Sequence, residues 1–222
     1  MDTGKDRSTG PRPIGDVPND RRVSYGELDE SVRRLANGLS VRCSVKPGDR
    51  VAVLAKNCTE FMQVYFAGGR AGYITQPLNW RLAEGELTRI IADGEPSVII
   101  SSAEFRATRD LLQGTNDVPF WLEFGPGGDG SFEALVAGAT DVEPAASNTI
   151  GNDDPLLILY TGGTTGESKG ALHTHRSIYA GMLNQTVAER IVPTDVYMLT
   201  GQMFHIPVGL AMNYMAHGCP LV

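Results

Sequence analysis

Short apolar runs alternate with helical stretches from residue 51 to residue 200, and that alternation commits the chain to an α/β fold in which a sheet carries helices on its faces. Residues 51–55, 73–75, 97–100, 118–122 and 156–160 read as strands, and residues 61–71, 84–92 and 104–112 as the helices between them. Upstream, Leu28, Val32, Leu35 and Leu39 recur at helical spacing with charges between them, the pattern of a helix buried along one side. Pro47-Gly48-Asp49 closes that unit in a turn. Beyond the polar stretch 145–154 the pattern predicts a return strand at 171–174, a helix at 177–190 and a strand at 196–200. Residues 1–20 combine glycine, proline and charge with little apolar material, which predicts a disordered lead before an organised unit at 21–222.

The strand at 156–160 delivers Tyr160-Thr161-Gly162-Gly163-Thr164-Thr165-Gly166-Glu167-Ser168-Lys169-Gly170. Glycines let a backbone approach an anion and turn its N–H groups inward, threonines add hydroxyl donors, and Lys169 supplies compensating charge, so the loop reads as a polyphosphate cradle. The ordinary P-loop is excluded, because it needs glycine before its lysine and a hydroxyl residue after it, whereas Ser168 precedes Lys169 and Gly170 follows.

This block, running on into Ala171-Leu172-His173-Thr174-His175-Arg176-Ser177-Ile178, resembles the phosphate loop of the acyl-adenylate-forming (AMP-binding) enzymes: acyl-CoA synthetases, luciferases and peptide-synthetase adenylation domains. The likeness extends in order over Ser24-Tyr25-Gly26-Glu27-Leu28, Lys46-Pro47-Gly48-Asp49-Arg50, Pro77-Leu78-Asn79-Trp80-Arg81-Leu82 and Phe204-His205-Ile206-Pro207-Val208-Gly209-Leu210. Two positions depart from the commonest form: Gly162 stands where serine is usual and Ser168 where proline is usual.

The resemblance implies the N-terminal part of the large domain of such an enzyme, truncated, with its sheet incomplete at the C-terminus. It also implies a two-step reaction: a carboxylate attacks the α-phosphate of ATP and expels pyrophosphate, and a thiol, CoA, then takes the acyl group. On this likeness Tyr160, Thr161, Gly162, Gly163, Thr164, Thr165, Gly166, Lys169 and Gly170 bind ATP, Lys169 and Thr161 act in catalysis, Thr161 contacts Mg2+, and Phe204 and His205 border the acid. Gly162 and the Pro77-Leu78-Asn79-Trp80-Arg81 run tilt the acid toward fatty or aryl types. The remaining parts of the machinery belong to the downstream part of the same enzyme, so the expectation is that this chain alone is inactive. Two other readings stay open: an adenylation domain feeding a carrier protein, and a noncatalytic binding module descended from the family. A homo-oligomer also stays open.

Composition agrees with this and narrows it. At 222 residues and 41% hydrophobic content the chain can bury a sizeable core. A net charge of -7 gives no basic face for nucleic acid. No apolar run approaches the ~20 residues of a membrane span, and Cys43, Cys58 and Cys219 lack metal spacing, so the expected setting is the cytoplasm with reduced thiols. Among the histidines, His175 reads as a packing or capping residue, His173 and His217 have no convincing partner, and none forms a zinc pattern. Trp80-Arg81, as neighbours on a strand, read as one core and one surface side chain and not as a cation–aromatic pair.

Overall fold

A computed structural model describes residues 14–16, 21–161 and 168–222. In chain order the elements are β1 (Ile14–Asp16), β2 (Arg21–Val23), α1 (Tyr25–Arg42), β3 (Arg50–Leu54), α2 (Thr59–Ala71), β4 (Ile74–Pro77), α3 (Glu84–Gly94), β5 (Val98–Ser102), α4 (Arg106–Thr115), β6 (Phe120–Phe124), α5 (Ser131–Ala137), β7 (Pro155–Thr161), β8 (Lys169–Thr174), α6 (His175–Glu189) and α7 (Pro207–Ala216). Among the described residues, six of the strands form one sheet in the order β6-β5-β3-β4-β7-β8. Pairing is parallel throughout except for β7 with β8.

The central strands are apolar on both faces, as a parallel sheet covered by helices requires. Alternate residues of β3 feed two separate cores: Val51 and Val53 enter the one that holds α1, α2, α5 and α7, while Ala52 and Leu54 enter the one that holds α3 and α4. The helix reading at the N-terminus holds, with Leu28, Val32, Leu35 and Leu39 all buried along α1. Ser24 and Glu27 start that helix with a reciprocal capping box. Gly68 lets α2 lie close on β4, since a Cβ there would meet Thr75 Oγ1 at 2.8 Å and the Tyr73 ring at 2.9 Å.

Several elements differ from the sequence reading. The strands expected at 73–75 and 118–122 form one or two residues later, as Ile74–Pro77 and Phe120–Phe124. The helix expected at 104–112 splits into a 3-10 turn, Ala103–Phe105, and α4. The strand expected at 196–200 is reduced to a single parallel bridge, Tyr197 with Leu221, where the Tyr197 and Leu199 N–H groups donate to the Pro220 and Val222 carbonyls and the Val222 N–H donates to the Tyr197 carbonyl. Helices α5 and α7 were not expected; α7 buries Val208, Ala211 and Met215 behind Pro207 at its first position.

Candidate active site

The hairpin of β7 and β8 fixes the two strand ends between which the glycine-rich segment runs. Its register places Thr161 opposite Lys169 and Tyr160 opposite Gly170, so the two ends of the loop face each other across one pair of strands. Gly162, Gly163, Thr164, Thr165 and Gly166 lie outside the described residues. Gly170 packs closely across the hairpin: a Cβ on it would sit 2.7 Å from Ile158 Cδ1 and 3.1 Å from Tyr160 Cζ. Tyr160 is tied down by its hydroxyl, which donates to Asp93 Oδ2 at 2.7 Å. Burial, together with that carboxylate, pushes the phenol well above its ordinary pKa, so it stays a neutral donor.

Beside the hairpin lies a cleft of about 600 Å3 lined by Tyr160, Thr161, Phe204 and His205 with one side of α6. Four of the sequence-predicted residues therefore share one cavity. Lys169 and Gly170 do not line it; they stand exposed on the far strand of the hairpin. The His205 Nδ1 accepts the Ile206 N–H at 2.8 Å, which in the neutral ring leaves the proton on Nε2.

The segment ahead of Phe204 is clamped by side chains that sequence reasoning missed. Asn57, just past β3, donates to the Gly201 carbonyl at 2.7 Å and accepts the Met203 N–H at 2.9 Å. Tyr65 donates to the Met203 carbonyl at 2.8 Å, and Trp80 Nε1 donates to Gln202 at 3.2 Å. These bonds close over more than a hundred residues of sequence, so no local pattern announces them. The α6 wall did carry a signal: Ser177, Gly181, Asn184, Gln185 and Ala188 recur at helical spacing, and all five line the cleft, as does His173.

Two further readings are settled by geometry. Trp80 and Arg81 do form a cation–aromatic pair, with the guanidinium 4.9 Å from the ring centroid. They sit in the turn after β4 and not on a strand, held by the Arg81 N–H donating to Asn79 Oδ1 at 3.0 Å, so adjacent side chains can fold together. Thr174 caps α6 by accepting the Ser177 N–H at 3.2 Å, which leaves His175 as a packing residue whose pKa is lowered by burial. Among the described residues, no group of three or more His, Cys, Asp or Glu side chains is placed to hold a metal ion, and no helix is long and apolar enough to cross a membrane.

A mostly parallel sheet with helices on both faces and a hairpin beside a cleft defines a doubly wound α/β fold. The AMP-binding enzyme family matches residues 9–222, and the chain belongs to that family. It is 33% identical over 187 residues to the long-chain-fatty-acid CoA ligase FadD13 of Mycobacterium tuberculosis, covering 84% of this chain and 36% of that one. It is 35% identical over 186 residues to the feruloyl-CoA synthase of an Amycolatopsis species, covering 82% and 34%. The inhibitor-bound crystal structure of the N-terminal domain of FACL13 from Mycobacterium tuberculosis superposes with a TM-score of 0.87 at 28% identity, covering 95% of this chain and 52% of that one. The chain thus spans about a third of the length of these curated relatives.

Proposed function

We propose that residues 21–222 are the N-terminal portion of the adenylate-forming domain of an ATP-dependent acid–CoA ligase acting on a fatty or aryl carboxylic acid. The observation that carries this reading is the hairpin register that sets Thr161, which lines the cleft together with Phe204 and His205, opposite Lys169 on the facing strand. In this reading the acid lies in the cleft with its carboxylate near His205 Nε2–H and its apolar body against Phe204. Attack on the α-phosphorus forms the acyl–oxygen–phosphorus bond and breaks the bond to pyrophosphate. The leaving phosphates gain charge, and the loop N–H groups, the Thr164 and Thr165 hydroxyls and the Lys169 ammonium are the donors that stabilise it. CoA thiol then takes the acyl group and releases AMP.

Magnesium fits the donor set in a limited way. Thr161 is an exposed hydroxyl at the strand end, one hard oxygen of the kind Mg2+ accepts alongside substrate phosphates and water. Bound there, the ion would neutralise phosphate charge. A cytoplasmic setting is supported by Cys43 and Cys219, neither of which is in a disulfide.

The test is acid-dependent exchange of labelled pyrophosphate into ATP by the protein that carries these residues, followed by thioester formation with free CoA. Lys169→Ala is expected to lower exchange about 100- to 1,000-fold, the usual effect of removing one preorganised donor to a developing anion. The 222-residue chain alone is expected to give no exchange. Exchange that proceeds at the unsubstituted rate in Lys169→Ala overturns the assignment.

A further inference from the structure

Behind the first cleft lies a second, of about 510 Å3, between α1 and α2 on one side and α6 and α7 on the other. The two are not independent: Leu157, Ile178, Met182, Val208 and Gly209 line both. Within that shared wall Gly209 presents no side chain, and a Cβ built on it meets no atom within 4 Å. A polar strut joins α6 to α7 at Met182, one of the shared residues. Thr186 Oγ1 lies 3.1 Å from Asn213 Oδ1 and 2.9 Å from His217 Nε2, while Asn213 Nδ2 donates to the Met182 carbonyl at 3.0 Å.

The second cleft has little to offer a polar group. Two of its three tyrosine hydroxyls are already engaged, Tyr25 with the Met215 and Cys219 carbonyls and Tyr65 with the Met203 carbonyl, while the third tyrosine, Tyr179, is largely exposed. The charged pair at its margin, Asp29 with Arg70, is mutually neutralised, and of His175, whose pKa burial lowers, one buried nitrogen, Nε2, is left without a partner. What remains is hydrocarbon wall from Leu28, Val32, Phe66, Leu156 and Met212. An exposed apolar hollow that continues a substrate cleft is matched by an apolar continuation of the substrate.

Resting on the ligase reading above, we propose that the second cleft receives the distal part of an extended aliphatic acyl chain, which passes Gly209 and Met182 from the carboxylate end near His205. The substrate class is then a linear fatty acid and not a compact aryl acid. Gly209 and Gly69 become the residues that set chain length, since a Cβ on Gly69 would also stand nearly free, its nearest neighbour Leu156 Cδ1 at 3.9 Å.

The experiment compares the unsubstituted protein with Gly209→Leu and Gly69→Leu across linear saturated acids from butanoate to hexadecanoate. Two quantities are read: kcat/KM in the coupled ligase assay, and affinity without ATP by displacement of a fluorescent fatty acid. Each buried methylene contributes about 0.8 kcal/mol, or about fourfold in affinity, so the unsubstituted series should climb steeply. Either leucine fills space for about three methylenes, so each variant should lower the hexadecanoate-to-butanoate ratio by about 60-fold, with at least tenfold required. Leucine also favours helix over glycine at position 69, so that variant guards against loss of folding at position 209. Equal ratios in all three proteins, or a flat series in the unsubstituted one, would show the cleft to be filled by other residues and overturn the proposal. If no acid supports adenylation, the ligase reading falls. The binding series then decides alone: steep and blunted by both variants upholds the tail site, while insensitivity to both removes it.

Discussion

Asn57→Ala tests whether the acid cleft depends on the clamp around Gly201 and Met203. The substitution removes two hydrogen bonds, 2.7 Å to the Gly201 carbonyl and 2.9 Å from the Met203 N–H. At about 1 kcal/mol net for each, the expected cost is about 2 kcal/mol. In a domain of about 150–250 residues that lowers Tm by about 4–8 °C. The segment does not come free, because Tyr65 still holds the Met203 carbonyl at 2.8 Å. Phe204 and His205 therefore shift without leaving the cleft, and the KM for the acid should rise while the KM for ATP holds. Asn57→Asp separates the contributions: it keeps an acceptor for the Met203 N–H but sets a carboxylate against the Gly201 carbonyl. If both bonds matter, it costs at least as much as alanine; if only the acceptor matters, it is neutral. Thermal melts and acid titrations of the three proteins read the outcome. A Tm change under about 2 °C with an unchanged acid KM would refute the clamp.

Two other substitutions probe the frame around the site. Glu123 at the end of β6 is fully buried, holding Arg106 and Arg109 and accepting the Asp129 N–H at 3.0 Å, so Glu123→Gln should cost about 2–3 kcal/mol, less than a wholly buried pair because Arg106 is half exposed. The bond to Arg106 lowers the Glu123 pKa below its ordinary 4.5 in the folded chain. The unfolded chain then binds the proton first as pH falls, so this stabilisation is present above about 4.5 and fades as pH drops through the lower folded value. Acid melts of Glu123→Gln should be flatter in that window than those of the unsubstituted protein, and parallel curves would count against the pairing. Tyr160→Phe removes the bond to Asp93 and should cost about 1 kcal/mol by denaturant titration, since Asp93 is exposed, with loss of ATP affinity if that tether positions Thr161.

What the sequence disclosed divides along the range of the interactions. The alternation of apolar runs and amphipathic stretches was legible because each strand and helix carries its own period, and the β7–β8 hairpin because one loop joins its strands. The clamp was hidden, since Asn57 finds Gly201 and Met203 across separations of 144 and 146 residues. The buried Glu123 was hidden for the same reason: nothing beside Phe120-Trp121-Leu122 marks one carboxylate in an apolar strand as the partner of arginines on α4. Helix α7 escaped for a local reason. Pro207 and Gly209 interrupt the run that contains Val208, Ala211 and Met215, and both read as loop residues although proline suits the first turn of a helix.

The hairpin residues Tyr160, Thr161, Lys169 and Gly170 are fixed relative to one another by backbone pairing, so their placement is insensitive to what surrounds them. The cleft wall is assembled from β7, α6 and the turn into α7, elements joined by side chains such as Thr186, Asn213 and His217. On the proposed reading, a change in the hairpin would alter what the loop can do to phosphate for every acid alike, whereas a change at Met182, Gly209 or the strut would move one wall against the hairpin and select among acids. On that reading, one phosphate chemistry can therefore be kept while the acid changes, and in this chain the residues free to make that change lie on α2, α6 and α7.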